Sequence, residues 1–173
     1  MSLVILFIFL FVFITRLFFL KKSKANEKRI LQQGGVEYGK INSRWIACLH
    51  TAFYLSCLGE GLLRKSSFDS ISSIGVILLL FSLVMLYYVS HLLGSVWTIK
   101  LMLVKNHQYN DHWLFTKIKH PNYYCNIIPE LIGLALLCHA SYTFIVVFPI
   151  YLITLIIRIR QEDTLLREKI KLS

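Results

Sequence analysis

The chain has 173 residues, 56% hydrophobic and 16% charged, with a mean hydropathy of +0.61, which excludes an ordinary soluble domain. Its net charge of +10 would suit a nucleic-acid binder, but the basic residues gather on alternate connections between long apolar runs, and that placement excludes the reading. In lipid every backbone polar group must be paired, so such runs are helices.

The first run, Leu3 to Leu20, is interrupted only by Thr15 and Arg16. Eighteen residues rising about 1.5 Å each suffice for a hydrocarbon core of about 30 Å. No basic region precedes this run and no small-residue cleavage motif follows it, so it reads as an anchor rather than a signal peptide. Further spans are expected over 45–63, 74–98, 122–140 and 142–158. Glu60 near the end of the second has Arg64 four residues on, enough for a local ion pair. His50 and His91 read as helix–helix hydrogen-bonders. Pro129 should kink the fourth span, and the fourth and fifth should form a tight hairpin around Ala140–Ser141. Glu130 lies in an apolar run, where a carboxylate is costly unless it faces the bundle interior or water; a pocket and a hydrogen bond to a neighbouring helix both fit. Cys48, Cys57, Cys125 and Cys138 show no CxxC pair and read as small packing residues. The six histidines show no close ligand pattern, so no metal is expected.

The fold expected is therefore an all-α membrane protein of about five transmembrane helices, one domain over residues 1–173. Of the 19 Lys and Arg, 16 lie on the first connection, the third connection and the tail; only Arg64 and Lys65 lie on the other side, and Arg16 sits near the inner end of the first span. The positive-inside rule puts the N-terminus outside and the C-terminus in the cytoplasm. Residues 21–44, 99–119 and the tail from Arg158 then share the cytosolic face, where a small polar reactant would enter.

Two motifs stand at that edge. Lys119-His120-Pro121-Asn122-Tyr123 marks the start of the fourth span, where proline can open a helix and free amides favour a carboxylate. As an interfacial anchor, the same residues would need no ligand. Arg158-Ile-Arg160-Gln161-Glu162-Asp163 ends the fifth span. Arg158 and Glu162 share a helix face, either as an ion pair or as an Arg steering a polarised oxygen beside a ligand-binding Glu.

Together, in order and spacing, the two motifs resemble the isoprenylcysteine carboxyl methyltransferase-like family, which carries R-H-P-x-Y, a helical hairpin, then R-x-R-x-E-E. Gly94-Ser-Val-Trp97-Thr98 is similar to a stretch preceding the family's core. The resemblance covers about residues 90–168. More faintly, Gly35-Val-Glu37-Tyr38-Gly39 and Leu49-His50-Thr51 look like a bacterial subgroup, extending it over most of the chain.

The resemblance implies an S-adenosylmethionine-dependent O-methyltransferase of a bacterial cytoplasmic membrane, with a cytosolic-edge cofactor pocket and a lipidic acceptor entering from the bilayer. It implies cofactor contacts from Lys119, His120, Pro121, Tyr123, Asn126 and Glu162, with Arg158 and Glu162 in the catalytic roles. Lys119 replaces the family's Arg, which keeps the charge but loses a planar fork. The acid ending the late motif is Asp163, and the usual aromatic tail is missing. The subgroup implies a long-chain polyketide acceptor such as an alkylpyrone, ahead of a prenylcysteine-like carboxylate and a phospholipid amine. A transporter or scaffold is the competing class, but a transporter should place its polar groups at mid-membrane, whereas most here lie at the cytosolic edge.

Overall fold

The computed structural model describes residues 1–103 and 112–172. Lys105, counted above among the cytosolic charges, lies outside the described residues, as do the side chains of Lys169 and Lys171. The chain is mostly helical. Helix α1 (Leu3–Gln32) leads to a short strand β1 (Val36–Tyr38), then α2 (Lys40–Leu63) and α3 (Ser70–Leu92). A 3-10 turn (Gly94–Val96), strand β2 (Leu101–Leu103) and the one-turn α4 (Trp113–Lys117) follow. A π-helical segment (Asn122–Ile127) runs into α5 (Ile128–Cys138), and α6 (Ser141–Leu172) completes the chain.

Four helices are long and apolar enough to cross a membrane: α1, α2, α3 and residues Ser141–Leu165 of α6. The expected fourth span is a shorter apolar helix, Asn122–Cys138. All five run between the same two ends of the bundle. At one end the Ser2 amide bonds the Ser66 carbonyl at 2.7 Å, the Ser66 hydroxyl bonds the Cys138 carbonyl at 3.0 Å, and Glu60 accepts from the Tyr142 and Thr143 amides at the start of α6. Glu60 thus caps α6 besides pairing with Arg64 at 3.0 Å. At the other end lie the strands, α4 and the two motifs. Phe7, Phe11, Ile14 and Phe18 form an exposed stripe along α1, an apolar face that needs lipid.

The helix ends differ from the expected spans. Helix α1 continues to Gln32 rather than stopping at Leu20, a length of about 45 Å. Lys, Glu and Arg are good helix formers, so leaving the apolar run does not end the helix. Helix α3 begins at Ser70, where the Asp69 side chain accepts from the Ser72 amide at 2.9 Å. It gives way to the 3-10 turn at Gly94, whose φ is +52°. The hairpin forms where expected: His139 takes a left-handed conformation (φ 55°) and the Ala140 amide bonds the Ala135 carbonyl at 2.8 Å.

Pro129 acts as a register change. Just before it, the Ile128 amide bonds the Tyr123 carbonyl five residues back. The widened π turn accommodates a proline that has no amide hydrogen and would crowd the carbonyl four residues back. Helices α3 and α5 pack backbone to backbone. A Cβ on Gly75 would lie 2.6 Å from the Leu137 amide nitrogen and 2.7 Å from the Gly133 carbonyl oxygen, the close approach that small residues permit in membranes.

The strands are an addition to the all-helical expectation. They pair antiparallel, with Glu37 opposite Met102. Each is three residues long, too short to leave an alternating pattern. Lys100 ties them to α1, meeting Glu27 at 3.2 Å and Glu37 at 3.3 Å. Burial of the ammonium works against the charge, but the two carboxylates prevail and raise its pKa.

Candidate active site

The two motifs meet around one cavity. Its volume is about 440 Å³, within the range of small-molecule sites. Residues Trp97–Met102 form one wall, the residues from Lys119 to Tyr123 a second, and Glu162, Asp163 and Arg167 of α6 a third. Asn26 of α1 holds the first wall, donating to the Gly94 and Trp97 carbonyls at 3.1 and 2.8 Å. The Ser23 hydroxyl of α1 accepts from the Ile99 amide at 2.9 Å. The extension of α1 beyond Leu20 therefore supports the cavity.

Residues from both motifs are joined by direct contacts. His120 is buried. Its Nε2 lies 3.1 Å from Asp163 Oδ1, and its Nδ1 lies 3.5 Å from Glu162 Oε1, a looser contact at the limit of hydrogen-bonding reach. Tyr123 Oη donates to Glu162 Oε2 at 2.6 Å. The His120 and Tyr123 rings stack with centroids 5.7 Å apart. Burial of the imidazole disfavours its charged form, but Glu162 and then Asp163 outweigh that and raise its pKa. Glu162 and Asp163 keep side-chain exposures of 26% and 36%, so both can still accept from a ligand.

Sequence-derived candidates divide by position. Lys119, His120, Pro121, Tyr123 and Glu162 line the cavity. Asn126 does not; it points into the bundle, where its Oδ1 accepts from Arg16 at 2.6 Å and from Ser82 at 3.2 Å. The widened turn carries it off the face that Asn122 and Tyr123 present. Arg158 is also buried. Its Nη2 donates to the Ser43 hydroxyl of α2 at 2.8 Å and reaches the Ile99 carbonyl at 3.5 Å. Its Nη1 has no partner among the described residues. Arg158 is not itself among the residues lining the cavity; it reaches that wall through the carbonyl of Ile99, which is.

Asn122 of the first motif also lines the cavity, as do Lys100 and Arg167, to which sequence reasoning gave no site role. Each stands within or beside a flagged stretch, and only the fold shows which face they take. The Trp97 ring is buried and its Nε1 has no partner among the described residues.

Glu130 proves to be a helix-to-helix contact. It is fully buried, pairs with Arg16 of α1, accepts from the Tyr54 hydroxyl of α2 and lies 3.6 Å from His50 Nε2. His50 Nδ1 also meets the Tyr151 hydroxyl of α6 at 3.3 Å, as its reading as an interhelical bonder requires. His91 does not take that role. It is exposed and stacks on Tyr87 of its own helix.

A family model described as the isoprenylcysteine carboxyl methyltransferase family matches residues 75–168. An uncharacterised protein of Haemophilus influenzae is 44% identical over 149 residues, covering 86% of this chain and 87% of that protein. The uncharacterised protein YpbQ of Bacillus subtilis is 29% identical over 148 residues, covering 84% and 86% respectively. No solved structure matches.

Proposed function

The chain belongs to the isoprenylcysteine carboxyl methyltransferase family, a family of membrane methyltransferases, and from that premise we propose that it is an S-adenosylmethionine-dependent O-methyltransferase with a lipidic acceptor. The observation that carries the reading is the convergence of two motifs on one cavity, through His120–Asp163 and Tyr123–Glu162. Those contacts join residues 43 and 39 apart in sequence, and an anchoring role at the interface does not require them.

The donor set fits the cofactor. Partly exposed carboxylate edges of Glu162 and Asp163 suit ribose hydroxyls or an ammonium group. Lys119 and Arg167 suit a carboxylate, and the Tyr123 ring offers an apolar face for a base. When bound, S-adenosylmethionine supplies an electrophilic methyl group on a positively charged sulfur. The residues of the chain have to bind it, bring an acceptor oxygen to about 3–3.5 Å in line and exclude water. Arg158 is the residue proposed to hold the acceptor oxygen: its buried Nη1 has no partner among the described residues, so a polarised oxygen would relieve an unsatisfied donor. With Glu130 held by Arg16, Tyr54 and His50, the candidates for a base are Glu162 and His120.

The membrane setting suits a lipidic acceptor, and the resemblance to a bacterial subgroup favours one class of lipid. A long-chain polyketide lipid such as an alkylpyrone is favoured in a bacterial cytoplasmic membrane, with a prenylcysteine-like carboxylate second. The excess of basic residues at the cavity end supports a cytoplasmic cavity, an outer N-terminus and five crossings. The partners in this reading are membrane lipids and the acceptor, with no nucleic acid.

Purified protein incubated with lipid extract and radiolabelled methyl donor should label a lipid. Arg158→Ala should abolish the labelling while the variant stays in the membrane. Near-normal transfer by that variant would remove Arg158 from the acceptor role.

A further inference from the structure

The polar cluster in the middle of the bundle is not spent on holding helices together alone. It draws on all four long helices and on α5: Arg16 of α1, His50 and Tyr54 of α2, Ser82 of α3, Glu130 of α5 and Tyr151 of α6. A buried ion pair is weak evidence of stabilisation by itself, because two apolar residues often serve as well. What this pair does toward the cavity is specific.

Glu130 fixes Arg16, and the same Nη2 of Arg16 donates to Asn126 Oδ1 at 2.6 Å. Ser82 donates to that oxygen at 3.2 Å. With two donors on one side, the Asn126 amide has only one favourable orientation: turned over, its NH2 would face a guanidinium that can only donate. Held this way, Asn126 Nδ2 donates to Asn122 Oδ1 at 3.0 Å. Asn122 lines the cavity. The bond from Asn126 fixes which end of the Asn122 amide is its carbonyl, and the other end, Nδ2, is then a donor. The linkage runs along the π turn, a geometry that recurs at functional sites. It is not a proton path, because the guanidinium at its centre does not deprotonate.

We propose that Arg16, paired with Glu130, is a positioning residue for the cavity. Through Asn126 it sets the amide of Asn122 as a hydrogen-bond donor to an acceptor atom of the nucleoside ligand, a carboxylate oxygen or a ring nitrogen. This rests on the cofactor reading above and adds a residue outside the stretch that the family model matches.

The test uses full-length protein in detergent, with S-adenosylhomocysteine as probe, calorimetric titration for affinity and thermal unfolding for stability. Arg16→Met combined with Glu130→Leu removes both charges together and should melt near the wild type. It should nonetheless bind the probe about tenfold more weakly, or ~1.4 kcal/mol, because Asn126 has lost its main donor. Asn126→Leu leaves the ion pair intact and serves if the double variant does not fold; it should show the same loss. Asn122→Asp, which still accepts from Asn126 but has no donor, should also weaken binding about tenfold with unchanged melting. Wild-type affinity in a folded Asn126→Leu or in the double variant overturns the positioning role. Wild-type protein that does not bind the probe overturns the cofactor reading, and this inference with it.

Discussion

A single methyl group at Gly75 tests how α3 and α5 hold the cavity. In an ordinary helix, Gly→Ala stabilises by up to about 1 kcal/mol, because the unfolded chain loses freedom and alanine favours helix. Here the added Cβ would lie 2.6 Å from the Leu137 nitrogen and 2.7 Å from the Gly133 oxygen. Both are backbone atoms, so no side chain can swing away; the helices must separate. Overpacking of this kind costs about 1–3 kcal/mol, which exceeds the propensity gain. Two backbone contacts well under 3.0 Å put the cost in the upper part of that range, which leaves about 1–2 kcal/mol after the propensity gain; at about 2–4 °C per kcal/mol for a chain of this size, Gly75→Ala should melt roughly 2–8 °C lower. Gly59→Ala is the matched control, since nothing lies within 4 Å of its Cβ position, and it should melt at or above the wild type. Both are read by thermal unfolding in one detergent. Separation of the helices should also reach the cavity, because α3 supplies Val89 to its wall and α5 continues from the turn bearing Asn122 and Tyr123. Gly75→Ala melting at or above the wild type would refute the close-packing argument.

Other variants probe the site more directly. Tyr123→Phe removes the donor to Glu162; a hydrogen bond to a charged group is worth about 1.5–3 kcal/mol, and titration should show weaker S-adenosylhomocysteine binding in a still-folded protein. His120 has a raised pKa when folded because Glu162 and Asp163 outweigh its burial. Its charged form therefore adds stability that is full below the ordinary histidine value of about 6.5 and is lost as pH rises through the folded value. Thermal midpoints should fall over that rise, and His120→Gln should flatten the slope. Lys100→Met removes contacts to Glu27 and Glu37 at a side chain 41% exposed. Such pairs contribute at most about 1 kcal/mol, so global melting should barely change, whereas amide exchange at Val36–Tyr38 should quicken.

Composition made the membrane helices legible, because apolar runs of that length have few other uses. The hairpin at Ala140–Ser141 was legible for the same reason: two spans left almost no chain between them. That the His120 and Glu162 stretches share a pocket was implied by the family resemblance of the two motifs; the contact of His120 with Asp163 was not read from the sequence. Other pairings between distant positions were no more legible. Arg16 and Glu130 each stood out as a charge in an apolar run, yet nothing in one sequence says that residues 114 apart neutralise each other. Arg158 looked like Glu162's partner by spacing, but burial turned it to Ser43. The resemblance implied that Asn126 belonged to the cavity, and the π turn before Pro129 carried it to Arg16. The strands escaped notice because three residues carry no usable periodicity, and Gly75 meets Gly133 without any local motif to announce it.

The most direct test of cofactor binding at this cavity is calorimetric titration of S-adenosylhomocysteine into detergent-purified wild-type protein, beside a folded His120→Ala variant. Saturable binding by the wild type, with one ligand per chain and loss in the variant, is the outcome expected if His120, Tyr123, Glu162 and Asp163 form the cofactor site. No binding heat and no thermal shift at saturating ligand in the wild type, or equal affinity in the variant, would contradict it.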